Sequence, residues 1–129
     1  MTKTQLLYYG YGITGKSDLK RQDGYWYFRT VPNILKKNLA ADNIQLEDSS
    51  CIVFITSVFL RTMLKYGERG YRFILQEIGF VGQNISLVSE ALGLSSCMLG
   101  GFLDDEINSF LEIDGPSETI QNIIVIGHK

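Results

Sequence analysis

Gly67-Glu-Arg-Gly70-Tyr71-Arg-Phe-Ile74-Leu75-Gln-Glu-Ile78-Gly79-Phe-Val81-Gly82-Gln-Asn-Ile85-Ser-Leu-Val88-Ser-Glu-Ala-Leu92 is the longest stretch of the chain with a single period. Tyr71, Ile74, Leu75, Ile78, Val81, Ile85, Val88 and Leu92 recur at steps of three or four, which gathers apolar side chains on one face of a helix. The segment predicts a long amphipathic or buried helix, with Gly93 as its stop. Gly70, Gly79 and Gly82 each weaken such a helix by about 1 kcal/mol relative to alanine. They are therefore expected to permit close approach of another helix or subunit.

Upstream, Ile52, Val53, Phe54, Ile55, Val58 and Phe59 form a nearly continuous β-branched and aromatic run from Cys51 to Phe59. That composition predicts a central strand buried on both faces. Downstream, Ser96 to Gly100 reads as a short strand and Asp104 to Leu111 as a helix with acidic residues in its first turn. Ile120 to Ile126 reads as a closing strand. The amino-terminal third is less regular. A short helix is expected over residues 2 to 9, capped by Thr2 or Thr4, until Gly10, Gly12 and Gly15 break it. Asp23-Gly24 turns into the aromatic run Tyr25 to Phe28, a strand or extended arm, and Val31-Pro32-Asn33 precedes a short helix over Ile34 to Ala41. The whole predicts an α+β fold in one domain over residues 1–129, without repeats or a low-complexity linker.

Composition narrows the function classes. At 129 residues and 45% hydrophobic content the chain can fill one core and is too short for two ordinary domains. Twelve basic and fourteen acidic side chains give a net charge of -2, which argues against a nucleic-acid backbone or an anionic membrane as the main partner. The basic run Lys16 to Arg21 is interrupted by Asp18 and reads as a solvated loop. Cys51 and Cys97 each have apolar neighbours, the setting of reduced core thiols, and imply a cytoplasmic protein. No apolar run approaches the roughly 20 residues that cross a bilayer.

Several motifs tempt and fail on context. Gly10-Tyr-Gly-Ile-Thr-Gly15-Lys16-Ser17 matches dinucleotide and phosphate-loop patterns, but Asp18 to Gly24 offers no apolar helix face after it. His128, the single histidine, lies at the carboxy-terminal edge, so histidine-based catalysis or a metal cluster has almost no raw material. Asp104-Asp105-Glu106 is explained by the helix dipole, and Ser95 and Ser96, with no base near them in sequence, read as turn residues.

One ordered series of short motifs is more specific. Lys65-Tyr66-Gly67-Glu68-Arg69-Gly70-Tyr71-Arg72 is followed by Glu77-Ile-Gly79, Gln83-Asn84, Ala91-Leu-Gly93-Leu94 and Gly100-Gly101-Phe102-Leu-Asp104, then Ile113-Asp114-Gly115, Glu118 and Ile126-Gly127. With Leu6-Leu7 to Gly15 and Arg29-Thr30-Val31-Pro32 upstream, the series resembles the SagB-type azoline dehydrogenases of the nitroreductase superfamily, in shortened form. The resemblance implies the nitroreductase-like α+β sandwich with a long central helix, FMN in the interface of an intertwined homodimer, and oxidation of peptide thiazolines or oxazolines by hydride transfer to the flavin. It places Lys65 and Tyr66 at the catalytic positions, where one of them would remove a ring proton. A lysine does this only in its neutral form, which burial or a neighbouring cation favours, and a tyrosine needs a base or cationic partner. Gly100 and Gly101 would let a planar ring or a phosphate approach the backbone, with Phe102 flanking the ring and Arg29 meeting flavin oxygens or phosphate.

The chain also departs from that pattern. Relatives follow Thr-Val-Pro with Ser-Ala-Gly-Ala-Leu-Tyr-Pro, whereas this chain continues Asn33-Ile34-Leu35-Lys36 and soon reaches Cys51. The Ser/Arg-rich segment that grips the FMN phosphate in relatives has no counterpart here, and their Gly-His is Gly79-Phe80. Three arrangements are compatible with these differences: a minimal flavoenzyme, a half-site completed by another polypeptide, or a non-catalytic scaffold that binds a partner protein or peptide without flavin.

Overall fold

The computed structural model describes residues 49–128 in full and the backbone of residues 5–10, 20–21 and 24–30. These residues form strands β1 (Gln5–Gly10), β2 (Lys20–Arg21), β3 (Gly24–Thr30) and β4 (Cys51–Ser57), then helices α1 (Phe59–Tyr66) and α2 (Arg69–Ala91). Strand β5 (Leu94–Leu99), helix α3 (Asp104–Leu111) and strand β6 (Thr119–His128) follow. The six strands form one sheet in the order β2-β3-β1-β4-β6-β5. Only β1 and β4 run parallel, with Leu7 opposite Val53; the other neighbours are antiparallel.

Strand β4 is the axis of the core, and its side chains from Ile52 to Ser57 are all buried. Alternation divides them between two layers. Ile52 and Phe54 join Leu99, Ile107, Ile120 and Ile123 on the face covered by α3, while Val53, Ile55 and Ile124 meet Ile78, Val81 and Ile85 of α2 on the other. A sheet clasped between helices is the expected α+β sandwich, and α2 is its long helix. Burial of an isoleucine or phenylalanine contributes about 1.5–3 kcal/mol, so these two layers dominate the stability of the described region.

The extended run ends at Ser57, two residues earlier than composition indicates, because its partner β6 begins at Thr119, opposite Ser57. Phe59 then opens α1, a helix the sequence reading did not separate. Residues 5–10 are a strand instead of the expected helix: β1 pairs with both β3 and β4, and those non-local ladders outweigh the local helical pattern. The expected helix over 34–41 lies outside the described residues. Lys20 and Arg21 are in β2, so no helix follows the Gly10 to Ser17 motif as a phosphate loop requires.

Ser95 and Ser96 belong to β5 and not to a turn, and Cys97 on that edge strand is exposed, in contrast to the half-buried Cys51. The core-thiol expectation therefore fails for Cys97. The α2 glycines separate into two kinds. A Cβ on Gly70 would lie 3.0 Å from Met63 Cα on α1, and one on Gly82 would overlap the terminal methyl of Met98, whereas one on Gly79 would meet nothing within 4 Å. Ile78 and Ile85 are half-buried against the sheet and so are not part of an outer surface. The exposed apolar stripe of α2 is Phe73, Phe80 and Leu87, spaced by sevens. Among the described residues no helix is long and apolar enough to cross a membrane.

Candidate active site at the corner of two helices

Lys65 and Tyr66 are the last two residues of α1. The chain leaves them through Gly67, whose φ of 60° and ψ of -147° lie in a region open essentially to glycine alone. The Gly67 amide donates to the Met63 carbonyl at 2.7 Å, and Gly70 N–H donates to the Gly67 carbonyl at 3.0 Å as α2 begins. The close approach of Gly70 to the Met63 backbone then fixes the two helices against each other.

Two aromatic pairs brace this corner. Phe59 stacks on Tyr71 with centroids 5.5 Å apart and planes 19° from parallel, and Tyr66 meets Phe73 edge to face at 5.2 Å and 87°. Contacts of this kind add about 0.5–1.5 kcal/mol beyond area burial. Tyr66 is thereby oriented although 48% of its surface is exposed, and the Lys65 ammonium lies 5.1 Å from its ring centroid. The corner thus presents a cation and a phenol side by side to solvent. An attraction of about 0.5–1 kcal/mol holds such an exposed pair together.

Gly100, Gly101 and Phe102 form a second cluster, the connection from β5 to α3. Both glycines are exposed, and a Cβ on Gly100 would meet no heavy atom within 4 Å. The backbone here is open to solvent, and the described residues of a single chain do not close over it. Phe102 is half-buried and packs on the core layer that contains Ile107, which anchors the turn. Arg29 lies on β3 opposite Leu6, and its side chain lies outside the described residues. The structure therefore unites Lys65 with Tyr66 and Gly100 with Phe102 on separate connections.

Near the carboxy-terminal end of β4 a further group was not legible in the sequence. Thr56 donates its hydroxyl to Glu118 Oε1 at 2.6 Å, and Ser57 borders a cavity of about 80 Å³ between β4, α1 and α2. The serine closely follows Phe54 and Ile55 in a run that reads as pure core, so nothing in the sequence sets it apart. Asp104, Asp105 and Glu106 occupy the first turn of α3, as the helix dipole favours. No group of three potential metal ligands occurs among the described residues, and His128 is exposed.

Comparison with known proteins follows the same lines. The profile of the nitroreductase family matches residues 17–128. A Methanocaldococcus jannaschii protein named as a nitroreductase is 39% identical over 62 residues, 48% of this chain and 31% of that protein. The microcin B17-processing protein McbC of Escherichia coli is 33% identical over 75 residues, 58% of this chain and 25% of that protein. The matched stretches thus span a third or less of these relatives. A crystal structure of an Anabaena variabilis protein described as a nitroreductase superposes with a TM-score of 0.66 at 28% identity, covering 81% of this chain and 23% of the other. A chain of the E. coli microcin synthetase McbBCD complex, with truncated pro-MccB17 bound, shares the fold at a TM-score of 0.60 and 20% identity, over 88% of this chain and 47% of that one.

Proposed function

The chain belongs to the nitroreductase family, whose profile spans residues 17–128, and from that premise we propose that it is an FMN-dependent oxidoreductase of the azoline-dehydrogenase type. The observation that carries the reading is the braced corner where Lys65 and Tyr66 stand together, with the lysine ammonium 5.1 Å from the tyrosine ring. The likeness to a microcin B17-processing protein supports a substrate of modified-peptide class.

Converting a thiazoline or oxazoline to its aromatic azole removes two ring hydrogens, one as a proton and one as a hydride. FMN, when bound, supplies the hydride acceptor. With FMN bound, the ring proton would go to Lys65 in its neutral form, or to Tyr66 as the phenolate with the Lys65 ammonium beside it. The edge-to-face contact with Phe73 keeps the Tyr66 hydroxyl in place during that transfer. Gly100 and Gly101 supply a backbone wall for the ring, and Arg29 a cation for its oxygens or phosphate.

The second wall comes from a second copy of the chain. Phe73, Phe80 and Leu87 make an exposed stripe at heptad spacing, with the open Gly79 beside it, the surface that a partner helix covers in a homodimer. A cytoplasmic protein of this kind would work on a peptide made in the same compartment.

The test is the visible absorption spectrum of the purified protein, mixed with FMN and filtered to remove unbound cofactor. Retained flavin bands near one equivalent per chain or per dimer are expected. Complete loss of colour on filtration would overturn the flavoenzyme reading. It would favour the second one, a non-catalytic nitroreductase-like subunit.

A further inference from the structure

We propose that the basic corner formed by α1 and the first turn of α2 docks an acidic peptide segment. The inference starts from how charge is distributed along the chain. Among residues 49–128 the only lysines and arginines are Arg61, Lys65, Arg69 and Arg72, whereas eight of the nine carboxylates lie after residue 72. Residues 59–72 therefore carry a net charge of +3, four cations against Glu68, and residues 73–128 one of -8 with His128 neutral. All four cations are exposed. Among the described residues none of them forms an ion pair, and Lys65 lies against the Tyr66 ring. Arg61 and Lys65 are one turn apart on α1, as Arg69 and Arg72 are on α2, and like charges at such spacings repel unless a counter-charge is brought to them.

The corner offers more than charge. Leu60 and Leu64, 61% and 85% exposed, form an apolar row on α1 beside the row of Arg61 and Lys65. Glu68, Arg69, Tyr71 and Arg72 line an open depression at the start of α2. Tyr71 is held there by its stack on Phe59 and is still 52% exposed. Guanidinium groups take carboxylates through two parallel hydrogen bonds. The leucines and the tyrosine ring meet apolar side chains, and Glu68 accepts an N–H. Cations, an apolar row and a single carboxylate in one place match a polypeptide that carries acidic and apolar residues.

An extended polyanion fits less well. A nucleic acid or an anionic bilayer reaches beyond the corner into the field of the eight remaining carboxylates, and Glu68 repels a phosphate placed in the depression. A short acidic segment is repelled by most of the described surface and steered to the corner alone. Lys65 and Tyr66 belong to that corner. On the function proposed above, acidic residues near a heterocycle would bring the ring to this pair; docking itself does not depend on flavin and holds equally for a non-catalytic subunit.

The experiment is fluorescence anisotropy of two short labelled peptides titrated with the full chain in the absence of FMN. Both contain leucine and glycine; one adds aspartate and glutamate, the other asparagine and glutamine at the same places. The acidic peptide is expected to bind at least about tenfold more tightly at low salt and to lose that advantage as salt rises to about 0.5 M. An Arg69→Gln, Arg72→Gln double variant should weaken the acidic peptide by about tenfold and leave the neutral one unchanged. Equal affinity for the two peptides would overturn the proposal, as would a double variant that binds like the parent. Displacement of the acidic peptide by equimolar inorganic phosphate would reduce the corner to a simple anion site. Sedimentation with phosphatidylglycerol vesicles and no peptide binding would make it a membrane surface, and either result overturns the proposal. The two-peptide comparison on the wild-type chain decides the matter even if the variant fails to fold. With no flavin present, failure of the FMN test leaves this result untouched.

Discussion

Thr56 and Glu118, 62 positions apart in sequence, are joined by a buried hydrogen bond of 2.6 Å in which the hydroxyl donates to the carboxylate. It ties the end of β4 to the residue that precedes β6 and so fixes where the two central strands start to pair. Thr56→Val keeps the shape and removes the donor. We expect a loss of about 1–3 kcal/mol, seen as a lower urea midpoint with an unchanged slope. An unchanged midpoint would mean that the bond is not formed in solution.

The α2 glycines give a paired prediction with opposite signs. Gly70→Ala forces a methyl to 3.0 Å from the Met63 backbone, which flexible side-chain motion does not relieve, and should cost about 1–3 kcal/mol. Gly79→Ala adds a methyl where nothing lies within 4 Å and should stabilise an isolated chain by up to about 1 kcal/mol through helix propensity. If the exposed stripe is covered by a partner, the same Gly79 variant weakens the dimer. Thermal unfolding at two protein concentrations separates the outcomes.

Removing the proposed acid–base pair should stop chemistry without loosening the fold. Lys65 and Tyr66 are exposed and lie at a helix end, so a Lys65→Ala, Tyr66→Phe double variant should keep its melting temperature. Turnover of a peptide azoline by the flavin-loaded protein should fall by about a hundredfold or more. An unchanged rate would remove both residues from the mechanism.

Oligomeric state follows from the stripe on α2. Phe80 is 69% exposed in the single chain, so Phe80→Glu should leave the monomer fold intact and shift light scattering from dimer to monomer. A wild-type monomer at micromolar concentration would rule out the second copy as the missing wall.

Asp114 supplies a pH marker. The Ser117 side chain, with the amides of Glu118 and Ser117, holds its carboxyl below the ordinary value of 3.8; the amide distances are 2.8 Å from Ser117 and 3.2 Å from Glu118. The unfolded chain then binds a proton here at higher pH than the folded one. The contribution to stability is complete above 3.8 and is lost as pH falls through the lower, folded value. Carboxyl NMR should show Asp114 titrating below free aspartate, and Ser117→Ala should move it back up.

Much of the described fold was written in local pattern. The buried run of β4, the period of α2, its stop at Gly93 with φ of 74°, and the span Asp104–Leu111 are each set by composition within one element. What escaped the sequence depended on distant partners. Strand β1 exists through its ladders, and the break between β4 and α1 is set by where β6 begins. The candidate catalytic pair was found by resemblance and not by its own chemistry. Ser57, Arg61 and Glu77 gave no signal because the cavity they share appears only when two helices fold back over a strand end.

The ladder between β4 and β6 carries one irregularity, where Ile55 faces Asn122 and the next residue, Thr56, faces Ile120. Gln121 is the surplus residue. Deleting it would leave Ile120 and Ile123 beside Phe54 and Ile124 beside Ile55, because the pairing on either side already skips that position. Deleting Ile124 instead would turn Ile123 and Asn122 over, exchanging an apolar and a polar side chain between the layers. The last strand thus tolerates a change of length at one place, and homologous chains that differ by a single residue in this strand should differ there.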